Sequence, residues 1–202
     1  MSRAIPATAV ILAGGRGKRM GGPKEILDFG GVTLLEHAIV LAKGMFSDVL
    51  VVARKPEVLP RVGAKVLRDS GLGTGPLAGI CGGLEALESD YGFVFACDMP
   101  FVKIELVRLL WGHAGEPDVV VPRGEKGLEP LHAFYSRACL GPVRAALSEG
   151  KRRVVDFFEE VGVVKVGEGE LSQVEDYGES FFNVNTPGEY ERAVELMRRL
   201  EK

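Results

Sequence analysis

Apolar residues recur along this chain at two spacings, and the alternation between the two spacings predicts the architecture. Residues 7–12 form a short, nearly unbroken apolar run ending at glycines, the pattern of a strand covered on both faces. Residues 33–43 switch to helical spacing, with Leu34, Leu35, Ala38, Ile39, Leu41 and Ala42 apolar. Thr33 is placed to cap that helix, and Glu36 to complete a capping box. Strands are expected over 48–53 and 65–67, a helix from Gly75-Pro76 to about residue 87, a strand over 93–96 and a helix over 104–110. The second half predicts strands at 119–122 and 131–135, helices at 140–147 and 154–161, and short strands at 163–166 and 181–184. Pro187 sits in the first turn of a closing helix, whose Arg198 and Arg199 suit its negative end. Strands and helices in this order imply an α/β chain with a parallel or mostly parallel sheet and helices on both faces.

Composition narrows the class. The length of 202 residues favours one domain, and 46% hydrophobic with 26% charged residues supplies a full core. The longest apolar stretches fall far short of the roughly 20 residues of a membrane helix. The N-terminus carries one Arg and a short apolar run, without the longer apolar region of a signal peptide, so a cytoplasmic protein is expected. Cys81, Cys97 and Cys139 form no Cys-x-x-Cys pair and are odd in number, which disfavours disulfides and structural zinc and leaves them as small buried apolar residues. A net charge of −3 argues against general nucleic-acid binding; a polyanion would need a local basic cluster.

One such cluster exists. Leu12-Ala13-Gly14-Gly15-Arg16-Gly17-Lys18-Arg19-Met20-Gly21-Gly22-Pro23-Lys24 follows the first strand, at the carboxyl end of the sheet where open α/β folds bind ligands. Its glycines let backbone N–H groups approach a phosphate, and Arg16, Lys18, Arg19 and Lys24 supply positive charge. Lys18 is followed by Arg19, not by Ser or Thr, so this is no Walker loop; Pro23 and the turn at 28–31 exclude the short Rossmann turn. A long basic glycine loop suggests a wrapped triphosphate. Asp98, in Cys97-Asp98-Met99-Pro100, ends an apolar strand and faces the same crevice. A carboxylate there is costly to bury unpaired, and Mg²⁺, a helix N-cap or an ion pair would each relieve the cost. Asp69, with Gly71, Gly73 and Gly75-Pro76-Leu77-Ala78-Gly79, marks another strand end. It can cap the helix, or accept hydrogen bonds from a ribose or from guanine N1–H and N2–H₂, with the glycines flat against the base.

The loop resembles that of a large nucleotidyltransferase superfamily whose first strand ends in Leu-Ala-Gly-Gly or Leu-Ala-Ala-Gly, then Arg-Met-Gly and Lys. Four segments narrow the likeness: Gly-Pro-Leu-Ala-Gly, Cys-Asp-Met-Pro, Lys151-Arg152-Arg153-Val154 and Phe182-Asn183-Val184-Asn185-Thr186-Pro187 occur in the order seen in molybdenum cofactor guanylyltransferases. The likeness runs from Ala9 to about Ala193. It implies a three-layer α/β/α domain over 1–202, with a mostly parallel, Rossmann-like sheet of the nucleotide-diphospho-sugar transferase type. The N-terminal part would bind GTP and the C-terminal part molybdopterin, with partner proteins that deliver or receive the cofactor. The resemblance assigns the glycine loop and Lys24 to the triphosphate and Asp98 to Mg²⁺; with the reading of the residues themselves, Leu12, Ala13, Gly14, Gly15, Lys24, Asp69, Gly79 and Asp98 are expected to bind GTP, and Arg19, Lys24 and Asp98 to carry catalysis. Arg153, Asn183 and Asn185 would meet the acceptor. Glu25, after Lys24, and Glu129-Pro130-Leu131-His132 depart from the familiar pattern. His132 is a candidate for catalysis near the acceptor; His37, on the first helix, reads as structural.

Two other readings stay open. One is a nucleotidyltransferase using CTP, or acting on a sugar phosphate or a cobinamide phosphate; the last should lack the paired-Asn segment. The other is a non-catalytic nucleotide-binding regulator, which would not need both Lys24 and Asp98.

Overall fold

The computed structural model describes residues 3–14 and 22–200. Strand β1 (Ile5–Ala13) lies inside the sheet between two parallel neighbours. Ala7, Ala9, Ile11 and Ala13 enter one core and Val10 the other, which explains an apolar run without polar alternation. The hairpin β2 (Asp28–Phe29) and β3 (Val32–Thr33) turns on Gly30 and Gly31, both at positive φ, 71° and 86°, where side chains are resisted. Helix α1 (Leu34–Met45) begins with the expected capping box: Glu36 N–H donates to Thr33 Oγ1 at 3.2 Å, and Thr33 N–H to Glu36 Oε2 at 2.8 Å.

The chain continues through β4 (Phe46–Ala53), β5 (Lys65–Arg68), α2 (Pro76–Glu85), β6 (Tyr91–Ala96), α3 (Ile104–Trp111), β7 (Val119–Gly124), β8 (Gly127–Leu128) and β9 (His132–Ser136). It closes with α4 (Leu140–Ser148), β10 (Val163–Val166), the single turn α5 (Glu168–Leu171) and α6 (Pro187–Leu200). The sheet order is β10-β7-β9-β6-β1-β4-β5, with β8 paired to β7. Only β9 and β8 pair antiparallel within it. Helices α1 and α3 cover one face, α2 and α4 the other, giving the three-layer, mostly parallel arrangement.

Strand register sets the site. Ala13 pairs with Ala53, Ala53 with Arg68, and Leu12 with Ala96. The chain therefore leaves the sheet along one rim at Gly14, Arg54, Asp69 and Cys97.

Two expectations need correction. Residues 154–161 are not an α-helix: Val154–Glu160 is a 3₁₀ segment that buries Val154 and Phe157, three residues apart, on the threefold repeat of that geometry. Residues 181–184 are not a strand; a 3₁₀ turn, Tyr177–Phe181, leads into a segment whose Val184 N–H donates to the Asp98 carbonyl at 2.9 Å. Their apolar side chains dock on the rim instead of extending the sheet.

His132 lies in a strand, as expected, and is not among the residues lining the site's cleft. It is fully buried on β9, edge-on to Phe93 and Phe181 at 5.0 and 5.2 Å, and neither ring nitrogen finds a partner among the described residues. It belongs to the core and takes no catalytic role. His37 is structural, as expected, with Nε2 2.9 Å from the Pro100 carbonyl. All three cysteines are buried and free. No described helix is long and apolar enough to cross a membrane.

Burial holds the His132 imidazole neutral and pushes its pKa down from the ordinary 6.5 to about 3. As pH falls below 6.5 the unfolded chain takes up a proton that the folded chain refuses, so stability is lost progressively until about pH 3. His132→Leu should remove this part of the acid sensitivity. Urea midpoints of parent and variant at pH 7.5 and 4.5 check it: the drop between the two pH values should be smaller in the variant.

Candidate active site

The rim opens a cleft of about 1520 Å³, above the roughly 300–1,000 Å³ usual for one small ligand. Its lining gathers Leu12, Ala13, Gly14, Lys24, Asp69, Gly79, Asp98, Asn183 and Asn185, nine of the positions singled out in the sequence. Gly15 and Arg19, with the rest of 15–21, lie outside the described residues.

Each side chain is placed by a local cause. Gly14 turns off β1 at φ 129°, in a region that favours glycine. Pro23 is extended, and Lys24–Ile26 form one 3₁₀ turn closed by the Leu27 N–H on the Lys24 carbonyl at 3.1 Å. This turn aims Lys24 across the cleft. Lys24 Nζ donates to Asp98 Oδ2 at 2.7 Å and to Asn185 Oδ1 at 2.6 Å. Asp98 stands in a tight turn after β6, in which Cys97 N–H donates to the Leu12 carbonyl and Met99 N–H to the Ala96 carbonyl. Asn185 is fixed through its backbone: its N–H donates to Glu189 Oε2 at 2.8 Å, an oxygen that also accepts the Thr186 hydroxyl at 3.1 Å. The Asn185 N–H, ahead of the Thr186 donors, holds the Glu189 carboxyl below its usual range.

The Lys24 and Asp98 side chains are only 14% and 16% exposed, so the pair is drier than a surface salt bridge. Asp98 is ion-paired, then, but with the cation of the same site.

At the opposite end of the cleft, Asp69 Oδ1 accepts the Gly71 N–H at 3.2 Å. The nearby glycines serve packing: a Cβ on Gly79 would meet Leu12 Cδ2 at 3.1 Å, and one on Gly82 the Asp69 Cα at 3.0 Å. They let α2 lie against β1 and the Asp69 turn, which makes helix packing and not a base the immediate neighbour of these Cα atoms. Asn183 lines the cleft but spends its Nδ2 on the Phe181 carbonyl at 2.9 Å.

Arg153 is not brought to the cleft. Its side chain is 80% exposed, 3.8 Å from Asp156. Of the three basic residues there, Arg152 comes nearest, its guanidinium lying against Gly73.

The sequence reading missed Arg54, Lys55 and Glu25. Arg54 and Lys55 follow β4 at the same rim, a signal available once the strand order is known. Glu25 is 5% exposed, lines the cleft, and leaves Oε2 without a partner among the described residues. The Cys97 thiol, buried and flanked by Asp98 and Glu25, is pushed far up and stays protonated.

No group of three or more His, Cys, Asp or Glu among the described residues could hold a metal alone. Asp98 suits a hard divalent cation that takes its other ligands from phosphates and water, as Mg²⁺ does.

The MobA-like NTP transferase domain model matches residues 9–163. A Pelotomaculum thermopropionicum protein named a probable molybdenum cofactor guanylyltransferase is 38% identical over 189 residues, covering 94% of this chain and 92% of that one. The molybdenum cofactor guanylyltransferase of Desulfosudis oleivorans is 34% identical over 190 residues, 92% and 93% of the two chains. Among solved structures, molybdopterin-guanine dinucleotide biosynthesis protein A from Archaeoglobus fulgidus superposes with a TM-score of 0.83 at 28% identity, over 95% of this chain and 99% of that one. The matched residues begin inside β1 and take in Lys24, Asp69 and Asp98, and the chain belongs to the MobA-like NTP transferase family.

Proposed function

We propose that this protein transfers GMP from GTP to the phosphate of molybdopterin in the cytoplasm, releasing pyrophosphate and forming the guanine dinucleotide cofactor. The observation that carries this reading is the meeting of Lys24, Asp98 and Asn185 across a cleft of about 1520 Å³. Relatives of the same length bear that activity in their names.

An oxygen of the acceptor phosphate attacks the α-phosphorus of GTP. The new P–O bond forms as the bond to the β-phosphate oxygen breaks, and pyrophosphate leaves with the electron pair. No covalent enzyme intermediate is needed, so positioning and charge neutralisation do most of the catalysis. Lys24, with Arg19 and the N–H groups of Gly14 and Gly15, holds the triphosphate. Asp98 would hold Mg²⁺, which supplies Lewis-acid neutralisation of the phosphate oxygens when bound. The strand-end backbone at Leu12, Ala13 and Gly14, with Asp69, reads the guanine; Gly79 keeps α2 close enough to shape that corner. Asn183 and Asn185 border the acceptor. The acceptor phosphate is already ionised near neutral pH, so no general base is required. In this reading residues 1–202 work as one unit, with proteins that deliver or receive the cofactor as its partners.

Two outcomes test the assignment. Asp98→Ala should leave a folded protein and lower turnover by on the order of a thousandfold, since removing a metal anchor costs several kcal/mol of transition-state stabilisation. Near-normal Mg²⁺-dependent turnover would remove Asp98 from the metal. Asp69→Ala should lower the preference for GTP over ATP about tenfold, because buried groups facing a mismatched base cost about 1–3 kcal/mol. Mass spectrometry of products with each of the four triphosphates and molybdopterin reads both. A parent that prefers CTP would replace guanylyl by cytidylyl transfer. An unchanged GTP:ATP ratio with both rates lowered would move Asp69 to the ribose.

A further inference from the structure

The ion pair at the centre of the cleft couples two ligands that the reaction needs together. Asp98 is a cleft carboxylate suited to a divalent cation next to the triphosphate, and its Oδ2 holds the Lys24 ammonium at 2.7 Å. The second acceptor on that ammonium, Asn185 Oδ1 at 2.6 Å, keeps it there. The Asn185 main chain is itself anchored, because Glu189 Oε2 accepts its backbone N–H at 2.8 Å. A divalent ion arriving alone would have to sit beside a fixed cation in a largely water-excluded position, where repulsion is weakly screened.

We infer that Lys24 guards the metal position of Asp98 in the nucleotide-free protein, so that the divalent cation enters with the triphosphate and not before it. The reasoning follows from what each group has left to give. Lys24 has three N–H donors, and two are committed to Asp98 and Asn185. Among the described residues the third has no acceptor, so a phosphate oxygen of the nucleotide can take it without breaking the trio. Its negative charge then offsets the ammonium and supplies the remaining oxygen ligands that a hard cation wants. Metal alone meets the repulsion; metal with triphosphate does not. By linkage, the factor by which nucleotide tightens metal equals the factor by which metal tightens nucleotide. This deepens the reading of the cleft as a metal-assisted nucleotide site, but does not depend on which nucleotide or acceptor is used.

The test is a Mn²⁺ titration of the nucleotide-free full chain, following the electron paramagnetic resonance signal of free Mn²⁺. Parent, Lys24→Met, Lys24→Gln and the double variant Lys24→Met with Asp98→Asn are compared, with folding checked by circular dichroism. Both single variants leave Asp98 without its cation and should bind Mn²⁺ at least about tenfold more tightly than the parent, a change equivalent to ~1.4 kcal/mol. The double variant should lose that gain, which places the ion on Asp98. Unchanged affinity in the folded Lys24 variants would overturn the inference, as would a gain that survives Asp98→Asn. Because no arm contains nucleotide or acceptor, failure to make the guanine dinucleotide would leave this result standing, and the reverse also holds.

Discussion

One ammonium group joins three segments that the sequence keeps far apart. Lys24 bonds to Asp98, 74 positions away, and to Asn185, 161 positions away. Hydrogen bonds to a charged group are worth about 1.5–3 kcal/mol each, so the contact is strong enough to hold the segments in register. It is also the point at which stability and chemistry compete. The oxygens that neutralise Lys24 in the resting protein are those that meet metal and acceptor in the proposed reaction. A cleft that must receive two polyanions gains from a cation already desolvated, oriented and partnered. The work of stripping water from it is done during folding and is not charged to substrate binding.

That contact depends in turn on the sheet. Parallel pairing of β6, β1, β4 and β5 sends four strand ends to one rim, and the pairing of Ala13 with Ala53 and of Leu12 with Ala96 fixes where along the rim each loop leaves. A slip of one residue in β1 would turn Ala9 and Ile11 toward the face that Val10 occupies and displace Gly14 by a full residue. Tight contacts oppose such a slip. A Cβ on Gly83 would lie only 2.5 Å from Val10 Cγ1, so α2 can approach β1 this closely only with glycine at that point. The glycines of α2 thus shape the Asp69 corner of the cleft indirectly, by letting the helix press the Asp69 turn against the rim.

These features divide by how they can be read from sequence. Local causes are visible: the apolar run of β1, the Thr33–Glu36 capping box, Pro187 opening the last helix, and an Asp at a strand end. Their positions follow from neighbours within a few residues. Arg54 and Lys55 were missed because their place on the rim depends on β4 lying beside β1, a non-local fact. Arg153 opens a 3₁₀ segment and is largely exposed, a placement that a basic run in a familiar motif does not reveal. Nor does position near a presumed acceptor reveal that the His132 ring faces Phe93 in the core. The strand expected at 181–184 failed because apolar residues there have a different place to go, against the Asp98 turn and the base of α6.

The last of these shows why the chain must extend beyond the 9–163 stretch matched by the family model. Asn183, Asn185 and Glu189 all lie past it. What carries them back to Lys24 is a small core of its own, in which Phe29 and Leu34 pack with Phe101, Val184 and Ala193. Leu27, Phe182, Tyr190 and Met197 lean on it, and the Tyr190 hydroxyl donates to the Asp28 carbonyl. Gly30 lies under the same packing, with the flexible end of Met197 2.8 Å from where a Cβ would stand, and its φ of 71° is what resists a side chain. The hairpin just after Lys24 and the helix just after Asn185 are thereby pressed together by apolar contacts that touch neither proposed substrate. Lys24 and Asn185 sit at the near ends of these two elements. Their 2.6 Å contact therefore rests on hydrophobic packing on the flank of the sheet together with the hydrogen bond, each holding the two segments where the other needs them.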